Sequence, residues 1–247
     1  MNIEEKLEKA KIIGIGNDGI NTLNSIKFKL ENNMDIEEIS INQDVDKDYV
    51  RELLDGVDLL FLTYNSEDKK ALQIVNAIGY MADERRILSI GIDSSNKENK
   101  DEVNINREFK VDEASMDKFI NLVNMLVESI SYQCMINLDL TDLKETLCTD
   151  GGIKYSYKEF GKDISKEDMV RNLLENVSGS HNELLNKKQI IFIEMGSNYC
   201  KEDEMIFVVN DILTIIKEKS ENSCDSIFSL YVKEQTKDKI KIGLVCN

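Results

Sequence analysis

Three glycines, Gly14, Gly16 and Gly19, stand in the stretch KIIGIGNDGINTLNS, directly after an apolar run and before a helix-like pattern. Their Gly-x-Gly-x-x-Gly spacing suits phosphate chemistry. Without side chains the backbone can approach a phosphate closely, and the following helix N-terminus carries partial positive charge. A dinucleotide site also needs an acid about 20 residues further on, at the end of the second strand. The nearest second-strand acid is Asp44, 28 residues past Gly16. A purely structural strand-to-helix turn fits the same glycines.

A second constellation is Asn137-x-Asp139-x-x-Asp142 in MINLDLTDLKETL. Carboxylates at this spacing can accept protons from water or help to hold a cation. They also fit a local role, with Asp139 as a helix N-cap and Asp142 as a first-turn acid. Other candidates fail. Asp44, Asp46 and Asp48 imitate the start of a calcium loop, but the glycine and the final glutamate of such a loop are replaced by Tyr49 and Asp55. His181, the sole histidine, falls in SGSHNELL with no catalytic partner in view, and Tyr155, Tyr157 and Phe160 read as strand packing. Cysteines 134, 148, 200, 224 and 246 are too scattered for a metal site and include no C-x-x-C pair. Buried thiols in a reduced, cytoplasmic protein are the expectation.

At 247 residues with 41% hydrophobic residues, the chain can bury one large or two small cores. The net charge of −16 disfavours nucleic acid, which demands clustered Lys and Arg, and equally an anionic membrane surface. No apolar run is long enough to span a bilayer. The acidic start, MNIEEKLEKA, lacks a signal core. There is no proline.

The elements that would position these residues alternate along the first half. Strands are expected at 11–16, 37–42, 58–63 and 87–92, with helices at 20–31, 49–55 and 66–83. This order predicts a parallel sheet with helices on both faces. Residues 93–104, DSSNKENKDEVN, read as a solvated loop. A long helix from about 113 to 135, apolar on most sides, would span roughly 30 Å and act as a central strut. Beyond it, strands at 153–157, 189–195, 226–232 and 239–246 and helices at 166–177 and 203–219 predict a smaller α+β lobe with a mixed sheet. The last two strands are expected side by side. The expected division is 1–112 for a Rossmann-like domain, 113–136 for the central helix and 137–247 for the second domain.

This ordered set resembles the bacterial tubulin family, FtsZ. That family's first loop reads G-x-G-G-G-G-G-N-A-V-N, and Gly14 to Asn24 matches it in length and in both asparagines, Asn21 and Asn24. ISINQD resembles the family's A-V-N-T-D, LLDGVDLLFLT its A-L-E-G-A-D-M-V-F-I-T, and KFINLVNMLVESIS its central helix. The Asn137–Asp142 stretch resembles N-x-D-F-A-D, and QIIFIEMGS with SIFSLYV and KIKIGLVC resembles the second domain. The resemblance implies GTP or GDP as cofactor, held by Gly14, Gly16, Gly19, Asn21, Asn24 and Asn121, with Mg²⁺ only where nucleotide binds. It implies that Asn137, Asp139 and Asp142 act on a neighbouring subunit's nucleotide, so that partners are further copies or a true FtsZ.

The chain also departs from the family. The loop for the γ-phosphate is shortened to residues 43–57, the ribose-contacting stretch is replaced by DSSNKENK, and Asn121 stands where the family has an acid that accepts from guanine. The glycine-rich signature G-G-G-T-G-T-G is replaced by Tyr64-Asn65-Ser66-Glu67-Asp68-Lys69-Lys70. With Ser66 as the expected N-cap, Glu67 and Asp68 would occupy the first helical turn. A carboxylate about 5 Å from a phosphate charge repels it by roughly 3 kcal/mol at an effective dielectric near 20, against about 0.3–1 kcal/mol of dipole attraction. Asp18 adds a further carboxylate. The expectation is therefore a cell-division-associated, FtsZ-like protein with a degenerate nucleotide site and little or no GTPase activity, acting by filament-type association or capping. A divergent polymerising GTPase and, less favoured, an NAD-dependent Rossmann enzyme are the alternatives. The chain ends at Asn247 with no tail for membrane recruitment, so no direct membrane binding is expected.

Overall fold

A computed structural model describes residues 10–30, 34–95, 103–112, 115–130, 134–148, 154–175, 188–220 and 225–246. The chain divides into two units, Met1–Val127 and Glu128–Asn247. His181 and Cys224 lie outside the described residues.

In the first unit, β1 (Ala10–Ile15), β2 (Asp35–Ile39), β3 (Leu59–Tyr64), β4 (Leu88–Asp93) and β5 (Arg107–Lys110) form one sheet in the order β2-β1-β3-β4-β5. Every pairing is parallel. The buried strands β1, β3 and β4 are nearly continuous apolar runs, as a sheet covered on both faces requires. β5 has no counterpart among the expected strands: its sequence, REFK, is charged at three of four positions, and only Phe109 is buried. At the opposite edge, β2 leaves Asp35, Ile36, Glu37 and Glu38 exposed.

Side chains alternate across the sheet. Ile13, Ile15, Leu60, Leu62 and Tyr64 form a core with residues of α2 (Lys47–Leu53) and α3 (Lys69–Glu84), among them Val50, Leu53, Ala71, Val75 and Ile78. α1 (Gly16–Ile26) packs against β1 and β3. It begins at Gly16 rather than at residue 20 and tightens into a 3₁₀ turn at Lys27–Lys29. Asp46 caps α2 by accepting from the Tyr49 N–H at 2.8 Å, and Asp48 pairs with Arg51 at 2.9 Å. Those acids therefore have local tasks.

The long helix is shorter than expected. α4 runs from Met116 to Ser129, buried on most sides through Phe119, Ile120, Leu122, Val123, Met125 and Leu126. Met135 and Ile136 are not helical. Both donate their backbone N–H to the Leu230 carbonyl, at 2.8 and 3.0 Å, because an open strand edge offers them partners there.

The second unit holds α5 (Leu140–Leu147), β6 (Lys154–Gly161), α6 (Lys166–Glu175), β7 (Lys188–Gly196), α7 (Met205–Lys219), β8 (Asp225–Lys233) and β9 (Lys239–Cys246). Its sheet is mixed, in the order β6-β9-β7-β8: β9 is antiparallel to β6 and β7, and β8 is parallel to β7. Ile191, Ile193, Met195, Ile240, Ile242 and Leu244 share a core with Met169, Val170 and Leu173 of α6 and Val209, Ile212 and Ile216 of α7. The expectation that β8 and β9 are neighbours is overturned, because β7 lies between them. The connection crosses the end of β7 at Gly196, where a Cβ would stand 2.1 Å from the Lys237 carbonyl oxygen. Only a glycine admits that backbone.

Candidate functional site

The glycines meet at the β1–α1 junction. Gly16 turns the chain with φ +70°, a conformation that favours glycine. Gly19 lies in α1 against β3: a Cβ there would stand 2.2 Å from the Thr63 carbonyl oxygen, and the Thr63 hydroxyl donates to the Gly19 carbonyl at 2.8 Å. Gly14 closes the contact from β1, with a Cβ position 3.0 Å from Ile20 and Leu23. Tight strand–helix packing therefore accounts for Gly14 and Gly19, and turn geometry accounts for Gly16.

Asn21 is exposed on α1, and the Asn24 amide oxygen accepts from Lys27. Asn121 lies on α4, where its amide donates to the Asp117 carbonyl at 2.8 Å. The bonds that Asn24 and Asn121 form are thus with their own neighbourhoods in the chain.

The β3–α3 segment differs from the expectation. Ser66 is not the N-cap. It is buried, and its N–H and hydroxyl donate to the two Asp93 carboxylate oxygens at 3.0 and 2.8 Å. The cap of α3 is Asp68, which accepts from the N–H groups of Lys70 at 3.0 Å and Ala71 at 3.3 Å. One Asp68 oxygen lies 3.5 Å from where a Cβ on Gly16 would be. Asp18, in the first turn of α1, accepts from the Asn65 amide at 2.8 Å. Two carboxylates, Asp18 and Asp68, therefore attend the glycine junction.

Asp93 falls in the stretch expected to be a solvated loop, yet it is fully buried at the end of β4. Ser95 also donates to it, through N–H at 2.9 Å and hydroxyl at 2.7 Å, and Lys110 lies 3.5 Å away. Burial alone would raise the carboxyl's pKa, but the bonds from Ser95 and Ser66 outweigh it and hold the value below the ordinary 3.8. Beside it, the buried Tyr64 hydroxyl donates to Glu108; burial first, then the Glu108 charge, pushes that phenol well above its usual range. No local pattern marks this cluster. The one available signal is an aspartate ending an apolar strand, ILSIGID.

In the second unit, Asn137, Asp139 and Asp142 are all exposed around the start of α5. Asp139 is the N-cap, accepting from the Thr141 N–H at 2.6 Å, and this bond lowers its pKa below 3.8. Asp142 sits in the first turn. The local roles read from the sequence are present, and the three side chains remain open to solvent. Among the described residues no group of His, Cys, Asp and Glu forms a metal site, and no helix is long and apolar enough to cross a membrane. Cys148 is exposed, against the expectation of buried thiols, while Cys246 is buried.

No protein-family model matches the sequence, and no curated protein does. Solved structures match nearly the whole chain. A mutant FtsZ of M. jannaschii aligns with TM-score 0.71 at 13% identity over 96% of this chain and 90% of that one. CetZ from Methanosaeta thermophila aligns with TM-score 0.62 at 12% identity over 97% and 86%. TubZ of Bacillus thuringiensis serovar israelensis, crystallised as GDP-form protofilaments, aligns with TM-score 0.59 at 11% identity over 98% and 88%. The fold is FtsZ/tubulin-like, with a parallel α/β lobe and a mixed-sheet α+β lobe.

Proposed function

We propose that this chain is a tubulin-like cytoskeletal subunit that works by associating with subunits of its own fold, with nucleotide hydrolysis weak or absent. One contrast carries the reading. Asp18 and Asp68 attend the glycine junction, where an anionic ligand would meet like charge, whereas Asn137, Asp139 and Asp142 stand open to solvent. Solved structures similar to this chain include an empty FtsZ dimer of M. jannaschii and TubZ protofilaments, which supports association as the mode of action. The partner is a second copy or an FtsZ-type subunit in the cytoplasm, whose filament this chain joins or caps during cell division. The net charge of −16 disfavours nucleic acid and anionic lipid as partners.

Calorimetry with GTP, GDP and NAD at micromolar protein is expected to show no heat of binding. Sedimentation alone and with FtsZ is expected to show association that needs no GTP. Asp139→Ala combined with Asp142→Ala is expected to abolish it. A double variant that associates normally would remove this loop from the working surface.

A second reading has one observation in its favour. Gly16 keeps the positive-φ turn suited to a phosphate, so a divergent polymerising GTPase, with Mg²⁺ offsetting Asp18 and Asp68, is the alternative. Association that appears only on addition of GTP and Mg²⁺ selects it.

A further inference from the structure

We infer that the segment from Tyr64 to Ala71 is a self-liganded loop with a single state, held by the protein's own carboxylates and indifferent to nucleotide. This deepens the proposed function, because it rests on the reading that the glycine junction is closed to nucleotide.

Hydrogen-bond donors decide the matter. A loop that responds to a bound anion must keep backbone N–H groups available for it. Here five of them, at Ser66, Glu67, Asp68, Lys70 and Ala71, are engaged within the protein. Ser66 N–H donates to Asp93 at 3.0 Å, Glu67 N–H to the Asn65 amide oxygen at 2.9 Å and Asp68 N–H to the Asn65 carbonyl at 3.0 Å. The N–H groups of Lys70 and Ala71 donate to the Asp68 carboxylate. Asn65 is itself oriented, since its amide nitrogen donates to Asp18 and so turns its oxygen to Glu67. On the acceptor side, the Tyr64 carbonyl takes the Ser94 N–H at 2.9 Å and the Ser94 hydroxyl at 3.1 Å.

Three carboxylates from three places in the fold thus converge on one short segment: Asp93 from β4, Asp18 from α1, and Asp68 from the segment itself. Asp93 is fully buried and takes donors on both oxygens, so solvent does not compete for it. A ligand shifts a conformational equilibrium only by binding one state better than another. An incoming anion would have to displace charge-assisted bonds already made to Asp93 and Asp68. The conformation of this segment is therefore set by the fold itself, and no nucleotide cycle switches it.

Hydrogen exchange by mass spectrometry on the full chain tests this. Peptides covering residues 65–72 are expected to exchange slowly, with rates that change by less than about twofold on adding millimolar GTP, GDP or inorganic pyrophosphate with magnesium. Asp93→Asn is expected to speed exchange there about tenfold or more. Asn65→Ala, which leaves the buried cluster intact, is expected to speed exchange at Glu67 and keeps the test open if Asp93→Asn fails to fold. Fast exchange in the unaltered chain, protection that rises with nucleotide, or an Asn65→Ala loop that exchanges unchanged would overturn the inference. A heat of GTP binding together with an unchanged loop would instead overturn the proposed function alone.

Discussion

Asp93 holds its proton less tightly than an ordinary aspartate although it has no solvent exposure. Its folded-state pKa is depressed, so the stability it contributes is fully present above the unfolded carboxylate value of about 3.9 and is lost as pH falls through the lower folded value. Acid titration of the unaltered chain is therefore expected to show a stability loss below about pH 4 that is smaller in Asp93→Asn, measured by thermal melts across that range. At neutral pH the same variant is expected to melt lower, by the equivalent of about 1–3 kcal/mol, since a charged acceptor of buried donors is replaced by an amide. The contrast with Asp139 explains what is legible at this scale. Asp139 bonds two residues along the chain, so its N-cap role is written in the local pattern. Asp93 bonds Ser66, 27 residues away, and its neighbours DSSNKENK carry the composition of a solvated loop. The same blindness to distant partners assigns the cap of α3 to Ser66 instead of Asp68.

Helix α3 ends in a conformation that its sequence does not favour. Arg86 has φ +61°, the Arg86 N–H donates to the Asp83 carbonyl and the Ile87 N–H to the Ala82 carbonyl. This is the paired-bond helix stop usually completed by glycine. Arg86→Gly is expected to stabilise the first unit by about 1 kcal/mol by relieving the left-handed strain, read as a higher midpoint in denaturant at unchanged slope. Strands β1, β3 and β4 are legible because buried parallel strands are unbroken apolar runs, and α1, α2 and α3 because the runs alternate with helical patterns. β5 is not, since a polar edge strand has neither signature. The order of β8 and β9 misleads for a different reason. Consecutive strands neighbour each other about two-thirds of the time, and the exception here depends on Gly196 admitting the Lys237 backbone, a contact between distant positions. The pattern of α4 overstates its length because apolar residues continue past Ser129, although Met135 and Ile136 satisfy their backbones on β8.

For the molecule as a whole, charge decides how copies meet. With a net charge of −16, two copies repel before they touch. Self-association is therefore expected to strengthen as salt rises from about 0.01 to 0.15 M, where the screening length falls from about 30 to about 8 Å. Sedimentation across that range checks it, and pairing with a basic surface would show the reverse trend. Fold class is legible at this scale because the expected elements occur in the expected order along the chain, even where their ends differ and the edge strand β5 is added.

Among the described residues β2 pairs only with β1, and its other side bears on the same question of what adheres to this chain. A terminal strand with free backbone groups is an invitation to a foreign strand. Asp35, Glu37 and Glu38 surround Ile36 with negative charge along that margin. They make the margin poor territory for amyloid-like stacking. A triple variant carrying Asp35→Asn, Glu37→Gln and Glu38→Gln is expected to deposit thioflavin-positive fibres on standing, under conditions where the unaltered chain leaves none.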